Sequence, residues 1–168
     1  MSNFQDNEKN SLIETLIEVK RISKAVKGGR KMSFSALMVV GDGNGKVGYG
    51  LGKANDVAEA IRKSTERAKR SMIRVPLSSK HSTPYEIKGK YKKSVILIKP
   101  AAPGTGIIAG GSVRAVLEAA GIKDVLAKSL GSNNSLNMIL AALEGLGSLI
   151  PASVRAKYRG KELQDIWG

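Results

Sequence analysis

The sequence predicts an α+β protein of two small domains. Three observations carry this. Apolar runs of strand length, closed by glycine-rich turns, occur in both halves of the 168-residue chain. Helical spacing of apolar residues recurs between them. A Ser- and Thr-containing stretch, Leu77–Thr83, separates a strand–strand–strand–helix series from a strand–helix–strand–helix series. The expected organisation is an arm over 1–11, a first domain over 12–77, a linker over 78–82, a second domain over 83–150 and a basic tail over 151–168.

In chain order, 12–26 carries two readings. Leu12, Leu16 and Val19 suit a helix face, whereas Ile17 and Val19 suit a strand beginning near Leu16, the preferred reading. Next, Lys20–Lys31 holds six Lys or Arg among twelve residues and no acid. Ile22 and Val26 can anchor it, and Gly28-Gly29 lets the backbone turn or approach a surface closely. A solvated basic loop and a phosphate-binding turn are both open readings of this stretch alone.

Ser33–Val40 is a strongly apolar strand, Gly41–Gly45 is turn chemistry throughout, and Lys46–Gly52 alternates Val47, Tyr49 and Leu51 with Gly48, Gly50 and Gly52. A face without Cβ atoms admits either a packed helix or a close ligand, and both stay open. Residues 54–74 form the first predicted helix, with Asn55 as N-cap and Val57, Ile61, Ala68 and Met72 as the buried stripe. Lys63, Arg67, Arg70 and Arg74 lie on another face, beside Glu66, which can pair with Arg62, Lys63 or Arg70.

The second half predicts a strand at Tyr85–Lys88, a turn at Gly89-Lys90, and a strand at Ser94–Lys99. A loop through Gly104–Gly111 leads to a helix capped by Ser112 and ended by Gly121. A strand at Val125–Ser129 and a helix at about Leu136–Leu146 complete the domain, with a short helix predicted over Lys161–Trp167.

Charge narrows the function. The net charge is +14, and the segment to Leu77 holds 15 basic and 8 acidic residues, so each half carries +7. A folded chain basic in both halves suits nucleic acid. With no cysteine there is no thiolate chemistry, and a reducing compartment fits. No apolar run reaches the roughly 18 residues of a membrane span. The first ten residues resemble neither a secretory signal nor a transit peptide, so the expected address is cytoplasmic, with no membrane partner.

Catalytic and cofactor motifs fail individually. Val40–Val47 lacks the first glycine and the hydroxyl of a phosphate loop. Gly104–Ala109 has dinucleotide-type glycines, but Asp124 precedes the next strand instead of ending it. His81, the single histidine, has no partner at ligand spacing. The expectation is no enzyme, no cofactor, no metal and no small-molecule substrate. Aromatics are only 4% of residues, which disfavours a base-stacking platform and leaves backbone and shape recognition.

Three motifs then become recognisable in order: Val26–Arg30 (VKGGR), Phe34–Gly48 (FSALMVVGDGNGKVG), and Gly104–Gly111 (GTGIIAGG) followed by Arg114–Glu118. Together they resemble bacterial small-subunit ribosomal protein five over about residues 12–148. The resemblance implies a first domain similar to a double-stranded-RNA-binding fold, a three-stranded sheet plus helix. It also implies a second domain of βαβα type with a left-handed βαβ crossover, against the usual hand.

By the same resemblance, Lys20, Arg21, Lys24, Lys27, Gly28, Gly29, Arg30, Lys31, Lys53, Lys63, Arg67 and Arg70 are the candidate RNA-binding residues. The Lys24–Arg30 turn would reach 16S-type rRNA near the head–body junction, and the first domain would face mRNA near its entry channel. Gly104, Thr105, Gly106 and Arg114 would lie near ribosomal protein four and affect decoding accuracy. Ribosomal protein eight would touch the second domain near 136–146 and the tail. The rival reading is a free double-stranded-RNA-binding regulatory protein.

Overall fold

The computed structural model describes residues 12–77 and 81–161. The expected arm over 1–11, part of the linker and the helix predicted over Lys161–Trp167, apart from Lys161, lie outside the described residues.

The first unit is built from β1 (Ile13–Val26), β2 (Gly29–Gly41), β3 (Lys46–Ala54), α1 (Val57–Arg70) and β4 (Ile73–Arg74). The strands pair antiparallel in the order β1-β2-β3-β4. The ambiguous stretch is thus a strand, and it starts at Ile13, before Leu16. A register shift between Leu16 and Glu18 interrupts its alternation. Such a bulge puts an extra residue into one strand, which is why neither period is clean in the sequence. A two-residue fourth strand joins the expected three.

Helix α1 lies on the glycine face of β3. A Cβ at Gly48, Gly50 or Gly52 would overlap the carbonyl oxygen of Ala68, Ser64 or Ala60 respectively. Of the two open readings, the packed helix is therefore the observed one. It also corrects the stripe: Ala60, Ser64 and Ala68 are buried, whereas Val57, Ile61 and Met72 are only half-buried. When a helix meets bare backbone, only small side chains fit between. The N-cap is Asp56, not Asn55; its carboxylate accepts the Ala58 N–H at 3.2 Å. Asn55 instead accepts from the Ser33 hydroxyl at 3.3 Å.

The second unit comprises β5 (Ile87–Tyr91), β6 (Ser94–Pro100), β7 (Ile107–Ile108), α2 (Gly111–Ala119), β8 (Val125–Ser129), α3 (Ser135–Gly147) and α4 (Ala152–Arg159). Its sheet order is β5-β6-β8-β7, with β7 and β8 parallel across α2 and the other pairs antiparallel. Gly89-Lys90 does not turn. The turn falls at Lys92-Lys93, where Lys92 has φ 52°. Gly89 sits in β5 because a Cβ there would overlap the Ala141 carbonyl of α3. Both units thus seat a helix on a strand glycine.

Helix α2 is capped at Gly110, ahead of the expected Ser112. Asn134 caps α3, accepting the Asn137 N–H at 3.2 Å. The basic tail carries a helix the sequence did not suggest, α4. It is tied down by buried Ala156 and by Arg155, whose guanidinium stands 4.0 Å from the Tyr85 ring centroid.

The two units share one aliphatic cluster in which Leu37, Val39 and Val47 join Val116, Leu117 and Ile122. The β2–β3 turn meets the end of α2. Gly43 N–H donates to the Ala119 carbonyl and Gly45 N–H to the Ala120 carbonyl, both at 3.0 Å. These amides occupy carbonyls that the end of a helix leaves without partners. Gly121 has φ 83°, and a Cβ there would overlap the Gly43 backbone. The turn glycines of the sequence therefore serve the junction between units as well as the hairpin.

Candidate nucleic-acid interface

The Lys20–Lys31 stretch is a two-stranded ribbon. Only Lys27 and Gly28 lie outside the strands, and Gly28 has φ 97°. A Cβ on Gly28 or Gly29 would meet nothing within 4 Å, so backbone conformation, not internal crowding, calls for glycine at 28.

Register sorts the cations by face, because directly paired residues of an antiparallel ladder point the same way. Lys24 pairs with Lys31. Lys20 pairs with Ser35, and Ser35 with Lys53, giving a row across three strands. Ile22 and Ser33 form the row between. Lys20, Lys24, Lys31 and Lys53 thus share one face of the sheet, opposite α1, and all four are exposed. Arg21 and Arg30 fall on the other face, paired with Phe34 and Ala25.

Below the lysines, a cleft of about 260 Å³ separates this sheet face from the start of α3. It is lined by Lys20, Ile22, Ser35, Leu37, Lys53 and Asn134, among others. A carboxylate on the lysine face, Glu18, binds Lys20 at 3.1 Å. No ion pair engages Lys24, Lys31 or Lys53 among the described residues. Like charges directly opposite on a sheet destabilise it by a few tenths of a kcal/mol or more. Lys24 and Lys31 are therefore arranged against the fold's own interest, as a site for an anion would be.

The helix cations are arranged differently. Lys63 binds Glu59 at 2.6 Å. The Lys63 ammonium, first by its hydrogen bond and then by its charge, holds the Glu59 carboxyl below its ordinary value. Glu66 forms no ion pair among the described residues, so the expected pairing moves one turn back. The Arg67 guanidinium donates to the Leu51 carbonyl, locking α1 to β3. Arg70 is exposed. These three residues stand across the sheet from the lysine face and do not join it.

Gly104, Thr105, Gly106 and Arg114 form a separate region. Gly104 and Gly106 have φ 90° and 76°, with open space around both. The Thr105 hydroxyl donates to the Ala102 carbonyl at 2.7 Å. Asp124, the misplaced ribose candidate, is buried and accepts the Gly106 N–H at 2.9 Å. Its task is to hold this loop. Arg114 binds Glu118 at 2.8 Å across one helical turn. Sequence reasoning missed Ser33 and Ser35, hydroxyls placed among the lysines; the period of two would find them once the ladder register is known.

Fold and face together define a two-domain α+β protein with exposed cations fixed on one sheet face. Residues 12–76 match the family model "Ribosomal protein S5, N-terminal domain", and residues 89–159 match "Ribosomal protein S5, C-terminal domain". The chain belongs to the ribosomal protein S5 family.

Among its relatives is small ribosomal subunit protein uS5 of Treponema pallidum (strain Nichols), 56% identical over 155 residues, covering 92% of this chain and 90% of that protein. The Treponema denticola protein of the same name is 53% identical over 156 residues, covering 93% and 90%. That of Borreliella burgdorferi is 52% identical over 156 residues, covering 93% and 94%.

Proposed function

We propose that this chain is a structural, non-enzymatic constituent of the small ribosomal subunit, acting in the cytoplasm by binding 16S-type rRNA through the lysine face of the β1–β2 ribbon. The observation that carries this is the pairing of Lys24 with Lys31 beside the Lys20–Ser35–Lys53 row. A double line of cations at strand spacing suits a phosphate backbone, and each neutralised phosphate releases counterions. Arg21, Lys27 and Arg30 extend the contact around the ribbon tip.

Within the subunit the ribbon reaches rRNA at the head–body junction. The α1 face that carries Lys63, Arg67 and Arg70 faces mRNA near the entry channel. The Gly104–Gly106 loop and Arg114 meet ribosomal protein four, which links the chain to decoding accuracy. Helix α3 and the tail meet ribosomal protein eight. Support for these finer assignments comes from family resemblance together with the separate placement of the three regions.

Competition binding at fixed salt tests the reading. Small-subunit rRNA should displace a generic RNA duplex from the full chain. Equal binding of the two would favour a free double-stranded-RNA-binding regulator instead.

A further inference from the structure

We infer that the cleft between the lysine face and the start of α3 seats one unstacked base of small-subunit rRNA, with the adjoining phosphate at Lys20 and Lys53. This rests on the proposed rRNA contact. It adds to that contact a base, and residues of the second unit.

Register builds one wall of the cleft. Glu18, Leu37 and Leu51 form a row across β1, β2 and β3, and Lys20, Ser35 and Lys53 form the next. The second unit supplies the facing wall through Asn134 and Leu136. Leu37 belongs to the aliphatic cluster shared by both units, and Leu51 and Leu136 pack against it, which fixes the two walls relative to each other. The floor is therefore apolar, while both lysines are exposed at the edge. The volume of about 260 Å³ lies just under the roughly 300–1,000 Å³ of drug-sized sites, which suits one base and no larger group.

The chemistry selects the occupant. Glu18 lines the cleft and binds Lys20 at 3.1 Å. A carboxylate there repels a phosphate or an acidic peptide placed inside, but accepts from the amino or imino group of a base. Asn134 gives its carbonyl oxygen to the Asn137 N–H at 3.2 Å, so its amide NH2 remains as a donor. An acceptor and a donor beside aliphatic side chains match the edge and the face of a base. Lys53 has no ion-pair partner among the described residues and is available to the phosphate. Paired bases of a duplex cannot enter, whereas unstacked bases of loops and bulges are what proteins read in RNA. A second copy of this chain, itself at +14, would bring lysine against lysine. The cleft continues the lysine row proposed to follow the phosphate backbone, and it uses only the first turn of α3, leaving the rest of that helix for its protein contact.

The test compares the full chain's affinity for small-subunit rRNA with that for a generic RNA duplex, each over a range of salt. Ser35→Ile fills the cleft with a residue suited to a strand and removes no charge. The preference for rRNA should fall by about fivefold or more, the lower end of what one seated base contributes. Duplex affinity and the salt slope for rRNA should stay as in the wild type, because every phosphate contact remains. Asn134→Ser keeps a good helix cap and removes the amide donor, so it should lower the same preference without shifting the thermal melt. A wild-type chain with no preference for rRNA fails the proposed function, and this inference with it. A preference that survives both substitutions overturns the inference alone. So does a free nucleoside monophosphate that occupies the cleft, seen as slowed exchange of the Ser135 and Leu136 amides, without weakening rRNA binding.

Discussion

Gly50 lies directly beneath Ser64: a Cβ on the strand residue would occupy the space of the helix residue's carbonyl oxygen. The contact is backbone to backbone, so no rotamer change relieves it. Gly50→Ala should lower stability by about 2 kcal/mol or more, since overpacking a close contact costs roughly 1–3 kcal/mol and here the obstacle is main chain. A thermal melt should fall by about 5 °C or more for a chain of this size. An unchanged melt would mean that α1 does not sit as described.

The junction between the two units makes its own prediction. Gly121→Ala should speed hydrogen exchange at the Gly43 and Gly45 amides, which donate to the last carbonyls of α2. The substitution forces a side chain into a left-handed conformation, about 1–2 kcal/mol, and drives it into the Gly43 backbone. Gly28→Ala is the control. Its φ of 97° carries the same conformational cost, but it has no neighbour to strike, and the two amides should exchange as before.

How much of this was legible depends on what the sequence encodes locally. Strands β2, β3, β6 and β8 and helices α2 and α3 follow from apolar period and turn residues, each of which is a local property. The interfaces between elements are not local. That Gly48, Gly50 and Gly52 receive a helix, and no ligand, depends on where α1 lands. Gly89 signals a turn in any sequence; only its contact with Ala141 makes it a strand residue. The bulge near Leu16 hid β1 by breaking its alternation. Tail helix α4 has few apolar residues and is held by tertiary contacts with Tyr85. The basic stretch was visible as composition, but its division into a lysine face and an arginine face needed the register.

Asp124 supports the loop at Gly104–Gly106 through a single buried carboxylate. Asp124→Ala should cost about 1.5–3 kcal/mol, the range for a hydrogen bond to a charged group. The diagnostic readout is local: the Gly106 amide, which donates to Asp124, should exchange faster, while amides of the β1–β2 ladder should not change. A uniform acceleration across the chain would point to global unfolding, with no special hold on the loop.

The central claim is that the paired lysines of the ribbon contact phosphate. Lys24→Ala combined with Lys31→Ala removes a repulsive cross-strand pair, so the fold should keep its stability or gain a few tenths of a kcal/mol. The decisive measurement is the slope of log affinity against log salt for small-subunit rRNA. The account predicts a slope shallower by about 0.7–0.9 per lost contact, hence about 1.4–1.8 for the double variant. A stable double variant with the wild-type slope would contradict it.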